Sequence, residues 1–203
     1  MRPSEIYPLF PTVVYKNKLE RTLSQEELDF IYSSEVFGQS LGNEISTSMW
    51  ILEKEELQQL KQDFMEHVNI YLNEIMMVDA ELYITNSWIN VTGHSQQHSL
   101  HNHNNSIVSG VFYLNASDSQ PTITFNRMIP PFFLTMRSKE YTMFNSIEWN
   151  IPVEDNSIII FPSQCYHFVK QNLSKNQRIS IAFNTFLKGS IGGDSEGADL
   201  ILR

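Results

Sequence analysis

A single cysteine, Cys165, among 203 residues leaves no partner for an internal disulfide and removes the cysteine clusters of zinc ribbons. That fits a reducing, cytoplasmic setting. No apolar run reaches the roughly 18 residues that span a bilayer, and Met1-Arg2-Pro3-Ser4-Glu5 lacks the basic-then-apolar start of a signal peptide, so no membrane association is expected. Basic residues are scarce: 14 Lys and Arg stand against 23 Asp and Glu, a formal charge of -9. A nucleic-acid backbone, which is gripped by clustered Lys and Arg, is therefore not an expected partner. Charge of either sign is low at 18%, while 41% of residues are hydrophobic and 12% aromatic. Such a chain can bury enough apolar surface to offset its conformational entropy, which argues for one compact domain over residues 1–203 and against disorder.

The acidity is uneven. All of the excess negative charge lies before Leu82, and residues 82–203 balance eight positive against eight negative side chains. Between Leu82 and Asn126 the only charged residue is Asp118, yet four of the six histidines fall there: His94, His98, His101 and His103. Histidines in a charge-poor segment point to metal or to a buried polar site.

Two helices are expected in an N-terminal layer over residues 1–80. Ser24-Gln25-Glu26-Glu27 has the form of a capping box ahead of Leu28 and Ile31. From Lys54 to Met77 apolar residues recur at Leu57, Leu60, Phe64, Val68, Tyr71, Leu72 and Ile75, in steps of three and four that make one apolar stripe on a helix of about six turns. After Asp79 the texture changes to short β-branched and aromatic runs separated by Asn, Ser, Gly and Pro. Strands are expected at 82–91, 107–114, 122–125, 140–149, 157–161, 166–169 and 178–187. The fold class is mainly β: a double-stranded β-helix (jelly-roll, cupin-like) core over 81–188, with the N-terminal helices packed on one sheet. Residues 189–203, opening with Gly189-Ser190-Ile191-Gly192-Gly193, have the composition of a mobile tail.

Three features carry chemistry. In His101-Asn102-His103, residues two apart on an extended chain point the same way, so both imidazoles can grip one cation at about 2.0–2.1 Å. His94 and His98, in a Gly/Ser/Gln-rich stretch, read as loop residues near that site rather than as ligands. His167 follows a buried run, Ile158-Ile159-Ile160-Phe161-Pro162, and can oppose the His101/His103 strand in a jelly roll; otherwise it is a core histidine. Three such ligands leave coordination positions open. In Arg178-Ile179-Ser180-Ile181-Ala182-Phe183-Asn184, alternation puts Ile179, Ile181 and Phe183 on one face and Arg178, Ser180 and Asn184 on the other. An inward Arg178 needs an anion, because an unpaired buried charge is costly, and with the Ser180 hydroxyl it can clamp a carboxylate. At a strand edge the same arginine would face solvent.

The order His-x-His, then His about sixty residues on, then Arg-x-Ser eleven further, resembles the 2-oxoglutarate/Fe(II)-dependent oxygenases, in the subgroup common in marine bacteria and their phages and allied to prolyl hydroxylases. The likeness runs over about residues 86–187, through Ser87-Trp88-Ile89-Asn90, His101 to Leu114, Phe161-Pro162-Ser163 to Val169, and Arg178 to Asn184. It implies that His101, His103 and His167 hold Fe(II), and that Arg178 binds the distal carboxylate of 2-oxoglutarate with help from Ser180 and Tyr113. Trp88 and Asn90 would line the cosubstrate pocket. It implies a dioxygenase that uses O2, with ascorbate as an accessory reductant, to hydroxylate a C–H bond of a protein, peptide or small-molecule substrate, releasing succinate and CO2, inside a bacterial or phage-infected cell. The superfamily at large has His-x-Asp/Glu where this chain has His103. The site is then a three-histidine one, or a carboxylate or Asn105 enters it from elsewhere. Asn156, where the pattern has Gly, suits a left-handed turn. The apolar insertion Met128-Ile129-Pro130-Pro131-Phe132-Phe133-Leu134-Thr135-Met136 is either a substrate wall or a packed connection.

Two other functions fit parts of the pattern: a cupin-like three-histidine dioxygenase that uses no keto acid, and a non-catalytic jelly-roll binding module. Arg178 with Ser180 speaks against the first, and the full set of His101, His103, His167 and Arg178 against the second. Oligomeric state is left open, a homodimer being one alternative.

Overall fold

The computed structural model describes residues 5–38, 42–116, 122–131, 133, 134, 136–192 and 200–202. In chain order they form β1 (Tyr15–Lys18), α1 (Gln25–Ser33), β2 (Val36–Gly38), β3 (Glu44–Ser46), two short tight turns of helix at Ile51–Glu53 and Glu55–Leu57, and α2 (Gln58–Asn69), which widens into a π-helical turn at Ile70–Ile75. The β half follows: β4 (Glu81–Thr92), β5 (His98–His101), β6 (Val108–Asn115), β7 (Thr122–Asn126), β8 (Glu148–Pro152), β9 (Ser157–Pro162), β10 (Tyr166–Val169), β11 (Arg178–Ile191) and β12 (Leu200–Leu202).

Two antiparallel sheets make the double-stranded β-helix. The larger runs β1-β9-β6-β11-β4-β3-β2, with β12 paired to β11, and the smaller runs β5-β10-β7-β8. The larger sheet is covered on both faces, which explains why β9 reads as an unbroken apolar run. Ile158 and Ile160 pack toward the helices, whereas Ile159 and Phe161 pack between the sheets. β11 alternates in the same way: Ile179, Ile181 and Phe183 join the helix-side core and Ala182 the inter-sheet core. Phe64 of α2 seals the helix side, its ring 5.3 Å from Phe112 and 5.1 Å from Phe183. Burial of one such side chain is worth about 1.5–3 kcal/mol. Gly110 lies opposite Phe183 in the ladder, and a Cβ there would stand 2.2 Å from the Phe183 ring, so only glycine fits under it.

Ser24 caps α1 with the reciprocal Glu27 bond expected of a capping box. Asn156 has φ 65, the left-handed turn expected of it, and its side chain donates to the Leu19 and Arg21 carbonyls. Other expectations are corrected. The six-turn helix is broken into tight turns, α2 and a π turn, although its stripe from Leu57 to Leu72 is buried throughout. The N-terminal part is not only helical, since it supplies β1, β2 and β3 to the two edges of the larger sheet. All three are short, β1 and β2 are largely exposed, and none is long enough for alternation to betray it. Only Glu148–Pro152 of the run from Glu140 is a strand. Thr142 and Asn145 close a turn on each other, and Tyr141, Met143 and Phe144 stay exposed, so a β-like composition meets no partner strand. Where a mobile tail is expected from Gly189, β11 continues through Ile191 and Leu200–Leu202 pairs back on it; residues 193–199 lie outside the described residues. No helix is long and apolar enough to cross a membrane.

Candidate metal centre and cleft

The site lies between the sheets at the end where β5 and β10 meet. His101, the last residue of β5, is the register partner of His167 in β10. His103 follows in extended chain, its N–H donating to the Ser163 carbonyl at 3.0 Å. One ring nitrogen from each of His101, His103 and His167 lies within 4.8 Å of the others. The His-x-His spacing and the turn at Pro162-Ser163 thus bring together three rings from two adjacent strands.

Each ring is oriented from behind. His101 Nδ1 lies 2.8 Å from the Ser99 carbonyl, His167 Nδ1 3.0 Å from the Cys165 carbonyl, and His103 Nδ1 2.6 Å from Asn184 Oδ1. A carbonyl oxygen only accepts, so each Nδ1 carries the proton and each Nε2 presents a lone pair. Metal-bound histidines are oriented in this way. His103 Nε2 is also the one buried side-chain polar atom left without a hydrogen-bond partner among the described residues, so the donor set fits a cation. Burial holds all three imidazoles neutral: His103 is pushed down to about 4, with the nearby charge of His101 adding to the effect, and His101 and His167 are also shifted down. Neutral imidazole is the form that ligates.

No carboxylate joins the cluster among the described residues, and Asn105 is exposed on a left-handed turn. Of the alternatives for position 103, the three-histidine set is the one present. His98 does not sit in a loop: it belongs to β5, lines the cleft, and stacks on His101 with ring centroids 4.4 Å apart. Burial and the charges of His101, His103 and Arg178 push it down to about 3. His94 is exposed and bonds the Ser174 carbonyl away from the cleft.

The same cleft, a narrow cavity of about 30 Å³, is lined by Arg178, Ser180, Tyr113, Asn90 and Trp88 as well as the histidines. Arg178 is 5% exposed, and its guanidinium, whose nitrogens still reach the cleft, has neither an ion pair nor a hydrogen bond among the described residues. It is not the solvent-facing edge residue of the alternative reading. Its burial lowers the guanidinium pKa and the neighbouring Tyr113 opposes that shift; Tyr113 is itself pushed up to about 12 by burial. Asn90 Oδ1 accepts from Trp88 Nε1 at 3.2 Å and from Asn43 Nδ2 at 3.1 Å, and the Trp88 ring stacks on His103. The residues that sequence reasoning left without a role are Asn184 and the His98 side chain. Asn184 was placed on the inward face, but only the fold sets it behind His103.

Beyond the cleft, the insertion after β7 leaves from Asn126, the register partner of Tyr166 next to His167. Met128, Ile129, Phe133, Leu134 and Met136 are exposed, so this is not a packed connection; Phe132 and Thr135 lie outside the described residues.

Residues 86–184 match the family described as "Putative 2OG-Fe(II) oxygenase". No curated protein matches the chain by sequence. Solved structures share the fold at low identity. HygX from Streptomyces hygroscopicus, with nickel and 2-oxoglutarate bound, is 10% identical with a TM-score of 0.61, covering 86% of this chain and 82% of its own. A prolyl hydroxylase from Trichoplax adhaerens, in complex with a hypoxia inducible factor peptide, is 15% identical with a TM-score of 0.60 and coverages of 85% and 83%. The viral collagen prolyl hydroxylase of Paramecium Bursaria Chlorella virus-1, in its 2-oxoglutarate complex, is 11% identical with a TM-score of 0.55 and coverages of 85% and 94%. The matched segment, residues 86–184, holds the three histidines, Asn184 and Arg178, so every residue of the candidate site falls within the stretch that is similar to the 2OG-Fe(II) oxygenase family.

Proposed function

We propose that His101, His103 and His167 hold Fe(II) through their Nε2 atoms and that Arg178 binds the distal carboxylate of 2-oxoglutarate in the adjoining cleft. The observation that carries this reading is the buried, unpaired Arg178 in the same cleft as three convergent imidazoles. An unpaired buried charge costs several kcal/mol, and a dicarboxylate reaching from the cation to the guanidinium relieves it. Ser180 and Tyr113 supply hydroxyls beside the arginine, and Asn90 and Trp88 form the wall. Three neutral ligands leave the ferrous site at two positive charges, which the keto-acid dianion neutralises. That balance, with Arg178, favours a keto-acid cosubstrate over the cupin-like alternative.

Bound iron with 2-oxoglutarate and O2 supplies oxidative decarboxylation to succinate and CO2, coupled to hydroxylation of a substrate C–H bond. The chain's own contribution is to orient three rings, fix the keto acid at its far end, and keep water from the apolar wall of Val111, Ile123 and Ala182. The narrow cavity means that side chains at the mouth part as the keto acid enters. The substrate is a protein, peptide or small molecule. Hygromycin B in HygX and a peptide in the Trichoplax enzyme illustrate both kinds on this fold. The exposed apolar residues Met128, Ile129, Phe133, Leu134 and Met136 that follow β7 form its docking wall.

Anaerobic addition of Fe(II) and 2-oxoglutarate is expected to give a weak visible charge-transfer band, lost in Arg178→Ala and in His167→Ala. Absence of the band with folded wild-type protein sinks the reading. Succinate release in air then separates an active oxygenase from a binding-only module.

A further inference from the structure

We propose that Asn184, held in place by Ser109, is the positioning residue that makes His103 a metal ligand. The inference rests on the metal site proposed above and concerns its second layer. His101 and His167 are oriented by backbone carbonyls of Ser99 and Cys165, acceptors that cannot turn around. His103 alone depends on a side-chain amide, 2.6 Å from its Nδ1. An amide has two faces of opposite polarity. With its oxygen toward the ring, His103 is protonated at Nδ1 and offers a lone pair at Nε2. With its NH2 toward the ring, the proton moves to Nε2, points into the cluster without an acceptor, and the ligand is lost.

A second donor to the same oxygen selects between these states. Ser109 Oγ donates to Asn184 Oδ1 at 2.8 Å, so two protons converge on one oxygen. Ser109 is fully buried and is itself held by Ser163 Oγ at 2.8 Å, which lies 2.8 Å from Ser106 Oγ. Ser106 in turn accepts the Thr185 N–H at 3.2 Å. Ser163 also accepts the His103 N–H through its carbonyl, so one short polar cluster grips both the backbone and the ring of His103. A β-bulge between Asn184 and Thr185 in the ladder with β4 marks the place where β11 makes these contacts.

This accounts for sequence that the reaction itself does not use. The stretch from His101 to Leu114 sends His103, Ser106 and Ser109 to this cluster, the one from Phe161 to Val169 sends Ser163, and the one from Arg178 to Asn184 sends Asn184. A carboxylate at position 103 needs no tautomer selection, whereas a histidine there does.

The test uses Co(II) alone as probe, by competition with a chelating dye, together with 15N spectra of histidine-labelled, metal-free protein. Loss of an outer-layer partner typically weakens metal binding about 10–100-fold. Asn184→Leu, which keeps the volume and removes the acceptor, is expected to weaken Co(II) by that factor. Asn184→Asp, which restores an acceptor with no second face, is expected to lose less than that roughly 10-fold lower bound. Ser109→Ala is expected to lose affinity and to show His103 divided between tautomers, while metal-free wild type shows the proton on Nδ1. The proposal is overturned if Asn184→Leu binds as wild type does, if Asn184→Asp falls with it, or if wild-type His103 carries its proton on Nε2. If Asn184→Leu does not fold, the wild-type and Ser109→Ala spectra still decide. Wild type that binds no Co(II) overturns the metal reading itself, and this inference with it.

Discussion

Replacing Arg178 by methionine separates its structural cost from its functional use. Arg178 is 5% exposed, lines the cleft, and has no ion pair among the described residues, so the metal-free, ligand-free protein carries a largely buried charge without a partner. Methionine has similar reach and no charge. Exchanging buried ionic groups for apolar ones of similar volume is often stabilising by about 1–4 kcal/mol. At about 2–4 °C per kcal/mol for a domain of this size, Arg178→Met is expected to raise the apparent Tm of the ligand-free protein by several degrees. The same change removes the partner of the keto-acid carboxylate, and losing one side of a buried charge pair costs about 2–5 kcal/mol, or roughly 30- to 5,000-fold in affinity. The assay is a thermal melt with and without 2-oxoglutarate in the presence of Zn(II). Wild type at about 100 times its dissociation constant gains about 2.7 kcal/mol of stability and the variant gains nothing measurable. A variant that melts lower than wild type yet still gains stability from the keto acid refutes the argument, because Arg178 would then be a structural residue with an unseen partner.

His103→Asp is expected to retain Co(II), since an oxygen ligand takes the same place, whereas His103→Ala loses it; unchanged binding by His103→Ala would show that this ring is not a ligand. The metal-free protein is expected to lose stability as pH falls from about 6.5, the usual histidine value, toward 4. Burial depresses the histidine pKa values in the folded state, to about 4 for His103 and about 3 for His98, so the unfolded chain binds more protons in that window, and Tm against pH checks it. Arg21→Ala leaves the carboxylate of Glu27, which is 2% exposed and paired with Arg21 at 2.6 Å, with only its Ser24 cap bond, and is expected to cost about 1.5–3 kcal/mol in chemical denaturation; no measurable loss would contradict the pairing. Gly110→Ala drives a Cβ into the Phe183 ring at 2.2 Å and is expected to destabilise by about 1–3 kcal/mol, while Phe183→Leu in the same chain recovers part of the loss.

Much of the architecture was legible because burial leaves a periodic trace. The stripe from Leu57 to Leu72 and the alternation of Ile179, Ile181 and Phe183 against Arg178, Ser180 and Asn184 both follow from side chains that face one way. Strands of three or four residues, most of them at sheet edges, leave no such trace, which is why β1, β2, β3, β5 and β12 are not legible in the sequence, and exposed aromatics such as Tyr141 and Phe144 imitate a strand that has no partner.

The candidate site divides in the same way. The sequence by itself determined which side chains are available: His101 and His103 two apart on extended chain, His167 after a buried strand, and an arginine on an inward face. Each of those depends on local periodicity alone. Only the tertiary structure decided that no carboxylate joins the three rings among the described residues, that His98 lies against His101 rather than in a loop, and that Asn184 stands behind His103. Those are relations between residues up to 81 positions apart, set by strand register and by a bulge, and register is a property of the paired sheet rather than of any segment within it.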